Sequence, residues 1–324
     1  MPLTTPLCSL FGIRHPILLA PMGGVSGGAL AAAVTRAGGL GLIGGGYGDR
    51  AWLERELAAA GNERVGVGFI TWSLARTPLL LDLVLERAPA AVFLSFGDAR
   101  PYVDKVKGKG SKLILQVQTL GQAAEARSCG ADLIVAQGTE AGGHGAIHRA
   151  LFPLVPAVVD TVAPTLVAAA GGIADGRQLA AALLLGAAGV VVGTRFFASR
   201  ESLGHANAKA RIVAKGGDDT LRTRTFDVVR ELPWPKQYTG RAIANSLSER
   251  WHDRDEAFTA ALAAEAPRYR AAVTAGDFDT AVIFAGEGLD LVRDIPAAGE
   301  IVERLAGEAE TLLRRAPRLV GPHS

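Results

Sequence analysis

Glu140 and His144 stand four residues apart in Ala136-Gln137-Gly138-Thr139-Glu140-Ala141-Gly142-Gly143-His144-Gly145, directly after the apolar run that starts at Leu133. A histidine titrating near neutral pH can take a proton from a weak carbon acid or donate one to an oxyanion. The glycines around it belong where φ must be positive or where another group must come close. The stretch therefore reads either as a sharp turn or as backbone lying against a ligand, with His144 aimed at that ligand. Glu140 reads as the anchor of the loop, accepting from loop amides or pairing with an arginine.

Other reactive side chains are few. Cys8 and Cys129 form no disulfide framework and no CxxC pair, and Cys129 is expected to be a small buried side chain at a helix end. His148 follows His144 by four, but no third ligand is near and the context is not HExxH, so no metal is expected. His15, His205 and His252 are given structural roles. The chain is read as lacking a GxSxG nucleophile elbow and a Walker A loop, which sets aside hydrolase and P-loop chemistry.

The elements that must position His144 are repetitive. Eight short apolar runs recur: 16–22, 40–44, 65–70, 91–96, 112–117, 132–137, 165–171 and 189–194. Ala/Leu-rich segments of helical spacing separate them, among them 28–37, 52–60, 122–128 and 177–185. Continuous apolar strands alternating with helices imply a parallel sheet covered on both faces. Eight such units imply an α/β TIM (β/α)8 barrel rather than an open doubly wound sheet. Gly39-Leu40-Gly41-Leu42-Ile43-Gly44 spells GxGxxG, but the strand lies inside the motif instead of before it, so no dinucleotide fingerprint is assigned.

After Arg195 the pattern becomes charged and helical. Residues 1–213 and 276–324 are assigned to the barrel and 214–275 to a helical lid over the C-terminal ends of the strands. The segment from Phe284 to Arg315 is expected to be an amphipathic helix closing the barrel. Trp234, Tyr238, Trp251 and Phe258 either line a substrate channel or pack the lid.

Composition narrows the function classes. The 324 residues are 49% hydrophobic and 20% charged, with net charge +2 and both signs interspersed, which gives no nucleic-acid footprint. The basic run from Lys105 to Lys112 reads as a solvated helix end. No run reaches the ~20 apolar residues of a membrane span. The N-terminus lacks signal-peptide order, and a cytoplasmic protein is expected.

In a barrel of this kind the chemistry sits on the loops after the strands, and the loops after the seventh and eighth strands often hold phosphate. Here those ends are Ala170-Gly171-Gly172 and Gly193-Thr194-Arg195. Backbone amides and the Thr194 hydroxyl are set to grip an anion, while Arg195 adds a charge or a rim salt bridge.

The motifs APMGG, GGLGLIGGG, QGTEAGGHG, AAGGIADG and GTRF occur in this order at those strand ends. Together they resemble the nitronate monooxygenase family, formerly 2-nitropropane dioxygenases. The similarity is strongest over residues 10–205 and continues through DDTLRTRTFDVVRELPWP. The resemblance implies FMN, with its phosphate on Gly171, Gly172, Gly193 and Thr194, beside Ala170. It places the flavin ring against Pro21, Met22 and Gly23, with Gln116, Gln137, Gly142 and Gly143 lining it. It makes His144 the catalytic residue. The implied reaction consumes a nitronate and dioxygen and yields a carbonyl compound and nitrite. The same motifs occur in FMN-dependent NAD(P)H reductases of enoyl-ACP or quinone type, the rival reading. In some relatives an Asn stands near Gly68; here either Thr71 takes over a flavin contact or this part of the pocket differs. A homodimer is compatible with the reading, and neither nucleic acid nor membrane is expected as a partner.

Overall fold

The computed structural model describes residues 3–319; Met1, Pro2 and 320–324, assigned to the barrel from sequence, lie outside the described residues. Eight parallel strands form the barrel: β1 (Ile17–Leu19), β2 (Leu42–Gly44), β3 (Gly66–Ile70), β4 (Ala91–Ser95), β5 (Lys112–Val117), β6 (Leu133–Gln137), β8 (Leu166–Ala170) and β9 (Gly189–Val192). The three remaining strands are β7 (Gly143–Gly145), β10 (Thr220–Thr223) and β11 (Thr239–Ile243). The barrel ladder runs β1-β9-β8-β6-β5-β4-β3-β2. It closes through a parallel bridge between Leu18 and Leu40, with Leu19 N donating to Leu40 O at 2.9 Å.

Every barrel strand is apolar on both faces because both faces are covered. Alternate residues such as Leu18, Phe93, Ile114, Val135, Ala168 and Val191 fill the barrel interior. Their neighbours, among them Leu19, Leu94, Leu115, Ile134 and Ala169, face the surrounding helices. Phe93 is fully buried, and truncation to Ala there would cost about 3–5 kcal/mol. The same alternation decides which strand-end side chains look into the mouth. Gln116 continues the inward parity of Ile114, Gln137 that of Val135, and Ala170 that of Ala168.

The segment after β9 differs from the expected all-helical lid. Helices Thr225–Val229, Ser246–Trp251 and Asp255–Ala275 are joined by strands β10 and β11, which pair antiparallel with each other. β11 also pairs with β7, so the His144 loop is itself an edge strand of the insert's sheet. These strands are short, and β7 lies far away in sequence, so no local alternation announces them. The insert has its own apolar cluster of Phe226, Val229, Ala242, Leu247, Phe258 and Tyr269. The closing helix is also shorter than expected. It spans Ala298–Arg315, because Gly286, Gly288 and Pro296 leave only a 3-10 turn (Glu287–Leu291) before it. Cys129 caps the helix Leu120–Ser128 and is half-buried rather than buried. Among the described residues no helix is long and apolar enough to cross a membrane.

Candidate active site

One side of the barrel mouth is backbone. Gly171 (φ +125°) and Gly172 (φ +66°) follow β8 in conformations that a side chain rarely adopts. The amides of Gly171, Gly172, Gly193 and Thr194 have no acceptor among the described residues. Thr194 Oγ1 accepts from Gly286 N at 3.0 Å, which leaves its own hydrogen free to donate. A Cβ on Gly193 would touch Ala20 and Met22 Sδ at 3.5 and 3.6 Å, so the β1 and β9 ends meet side by side. Pro21 packs on Gly68, and Gly23 lies against Gly46.

The adjoining side begins at the His144 loop, which follows β6, the neighbour of β8. Gly143 (φ +72°) has open space where a Cβ would be, whereas Gly142 is needed for packing, its Cβ position lying 2.6 Å from Gly286 N. Glu140 accepts Leu151 N with both oxygens, at 2.8 and 3.0 Å, and so caps the next helix (Leu151–Val162) as the expected anchor. Two arginines of the insert hold the loop from outside. Arg222 donates to the carbonyls of Thr139, Ala141 and Gly145, and Arg241 donates to Thr139 O while pairing with Glu287. Burial and the neighbouring Arg241 lower Arg222 to about 10. From inside the barrel, Gln137 accepts from Gln116 (3.1 Å) and Gln118 (2.9 Å) and donates to His144 O (3.1 Å). The carbonyls and amides of the loop are thus fixed before any ligand arrives.

His144 is 8% exposed and Asp227 3%, and His144 Nε2 lies 2.8 and 3.0 Å from the two Asp227 oxygens. A carboxylate accepts, so the neutral ring carries its hydrogen on Nε2 and leaves Nδ1 as the basic nitrogen. Burial pushes the imidazole below its ordinary range, against the opposing pull of the Asp227 carboxylate. Trp234 stacks on the imidazole with ring centres 3.5 Å apart and planes 4° from parallel. Its Nε1 donates to Tyr47 Oη at 3.1 Å. Trp72, Phe96 and Tyr238 pack edge-on around Trp234, and Phe284 lies 5.3 Å from the imidazole. The result is an aromatic box around one oriented histidine.

The sequence reading placed His144, Gln116, Gln137 and the strand-end glycines at one mouth, and they are together there. It missed Asp227, whose signal was a lone acid within the apolar Phe226-Asp227-Val228-Val229, and it missed Tyr47, Phe284, Arg222 and Arg241. Trp234 and Tyr238 join the box, while Trp251 stacks on Phe258 inside the insert at 4.8 Å. Arg195 is the rim salt bridge of the two roles considered, donating to Asp294 Oδ1 at 3.0 Å. Thr71 is buried with no partner for its hydroxyl. A cavity of about 430 Å³ lies behind Gly171 and Gly172, reaching Ala169 and Val155 on the helix side of β8 and not the mouth. No cluster of metal-ligating residues occurs among the described residues, and His148 is exposed.

One exclusion needs correction. Gly24-Val25-Ser26-Gly27-Gly28 does spell GxSxG between a strand and a helix. Ser26 is fully buried, however, and its Oγ accepts from Met22 N at 2.6 Å, so it is a turn residue and no nucleophile.

The comparisons with known proteins agree with this architecture. The nitronate monooxygenase profile matches residues 4–65 and 72–308. A nitronate monooxygenase of Neurospora crassa is 31% identical, over 93% of this chain and 91% of its own length. A (3aS,4S,5R,7aS)-5-hydroxy-7a-methyl-1-oxo-octahydro-1H-indene-4-carboxyl-CoA dehydrogenase of Mycobacterium tuberculosis is 30% identical, over 99% of this chain and all of its own. Among solved structures, FabK from Thermotoga maritima superposes with a TM-score of 0.87 at 30% identity, covering 98% of this chain and 100% of that one. With the barrel, the ordered strand-end motifs and a profile spanning nearly its whole length, the chain belongs to the nitronate monooxygenase family of oxidoreductases.

Proposed function

We propose that this chain is an FMN-dependent monooxygenase that converts alkyl nitronates, and nitroalkanes after deprotonation, with dioxygen into carbonyl compounds and nitrite. The observation that carries the reading is the oriented His144–Asp227 pair facing a rim of unpaired amides. The residues fit the cofactor. Gly171, Gly172, Gly193 and Thr194 offer donors and space for a phosphate. Pro21, Met22, Gly23, Gln116, Gln137, Ala170 and Gly143 would line its ring, with Gly142 packing the wall behind. When bound, FMN supplies the electron acceptor for the nitronate and passes electrons on to dioxygen.

The protein's own part is proton transfer, orientation and exclusion of water. His144 Nδ1 takes the α-proton of a neutral nitroalkane, and Asp227 balances the charge that develops on the ring. With a preformed nitronate no base is needed, and the neutral ring, its one hydrogen held by Asp227, donates nothing to the anion. Tyr47, Trp72, Phe96 and Trp234 exclude water around the reacting carbon. A cytoplasmic location goes with the reading.

The rival is an FMN-dependent NAD(P)H reductase of enoyl-ACP or quinone type, favoured by the close superposition on FabK. Anaerobic mixing of the purified protein with ethylnitronate, then separately with NADH and NADPH, separates the two. Fast flavin bleaching by ethylnitronate is the expected result. Bleaching by NADH or NADPH with none by nitronate would overturn the proposal.

A further inference from the structure

Arg230 follows the helix Thr225–Val229 that carries Asp227. Its guanidinium carbon lies 5.4 Å from the Tyr47 ring centre and 5.9 Å from that of Phe284, so it sits at the wall of the aromatic box. Its Nη1 is buried and has no hydrogen-bond partner. Arg195, Arg211 and Arg224 also leave one buried nitrogen unpaired, but each holds a carboxylate with another: Asp294, Asp279 and Asp255. Arg230 forms no ion pair among the described residues. Both oxygens of the neighbouring Asp227 are turned to His144 Nε2. A second donor of the box, Trp72 Nε1, is likewise buried without a partner, its ring 6.1 Å from Tyr47.

Arg230 is half-buried as a residue, but its Nη1 is enclosed, and an enclosed cationic donor with no acceptor is costly to keep. Stacking on Tyr47 and Phe284 offsets part of that cost, but supplies no acceptor to Nη1. Nη1 is left without an acceptor on the Arg230 side of the box.

We infer that Arg230 is the anion anchor of this site, with Nη1 donating to an oxygen of the planar NO2 group of a nitronate. The inference rests on the nitronate reading above and adds to it the residue that separates the anion from its neutral parent. His144 then handles the proton and Arg230 the charge. An arginine suits this task because its planar fork matches a planar, two-oxygen anion.

The test uses the holoenzyme and inorganic nitrate, a planar oxyanion that cannot serve as reductant. Nitrate is titrated by calorimetry into the parent protein, Arg230→Met and Arg230→Lys, and KM is measured for ethylnitronate and nitroethane. The expected results are competition between nitrate and ethylnitronate and a loss of nitrate affinity of about 10- to 100-fold in Arg230→Met. Arg230→Lys should recover part of it. KM for ethylnitronate should rise in step and kcat for nitroethane should fall, because its deprotonation puts the same charge on the NO2 oxygens, while KM for nitroethane and kcat for ethylnitronate stay within about threefold. Unchanged nitrate affinity in an Arg230→Met protein that retains its flavin and its melting temperature would overturn the inference. So would equal rises in KM for the anion and the neutral substrate. Arg230-dependent nitrate binding in a protein that turns over neither substrate would count against the proposed function and leave the anchor in place.

Discussion

On one side of the barrel mouth Gly171, Gly172, Gly193 and Thr194 present amides from two adjacent strand ends. On the other, His144, Asp227, Trp234 and Tyr47 present side chains brought from as far as 187 residues apart. The first side offers backbone donors and no charged side chain. The second works through orientation, since the carboxylate, the stacked indole and the two insert arginines each remove a freedom of His144 or its loop. A cofactor common to a family can be held by the first kind of surface, while the chemistry and the substrate are set by the second. The two sides should therefore fail separately.

The largest expected separation comes from Gly171→Val. A β-branched residue at φ +125°, with a Cβ 3.2 Å from Ala141 N, strains the rim by a few kcal/mol. FMN affinity, measured by flavin fluorescence on titration, should fall roughly 100-fold. Turnover at saturating FMN should recover to near the parent value; a permanent loss would show that the two sides are one unit.

Asp227→Asn probes the other side. The carboxylate holds the His144 pKa up against burial. Without it the pKa falls further, so the rising limb of kcat/KM for nitroethane against pH should move to lower pH. The plateau should drop by about 10- to 100-fold because the base is weaker and less firmly oriented. A limb that moves to higher pH would contradict this sign. FMN affinity should change by less than about threefold.

The smallest effect is expected where the two sides join. Glu140→Gln weakens the cap on Leu151 N and should cost about 1 kcal/mol, read as a modest loss of melting temperature with FMN affinity intact. A loss of flavin instead would make Glu140 part of the cradle.

The same contrast explains what could be read from sequence. The barrel was legible because each strand is a continuous apolar run and each following loop is glycine-rich, both local properties. Gln116 and Gln137 follow from strand parity. Asp227 was hidden because its partner is 83 residues away and nothing near it in sequence marks the pairing. Strand β7 was read as loop because Gly-His-Gly has no strand propensity; it is extended because β11 pairs with it. Tyr47, in Gly46-Tyr47-Gly48, carries no local signal, since its partner Trp234 comes from the insert.

The proposed function makes His144 the base for neutral substrates and the adjoining rim the holder of the flavin. The most direct test is the ratio of kcat/KM for nitroethane to that for ethylnitronate, already deprotonated, in His144→Asn with its FMN content verified. Turnover of nitroethane should fall by about 100-fold or more and that of ethylnitronate far less, so that the ratio collapses. Equal losses on both substrates, with FMN still bound, would contradict it.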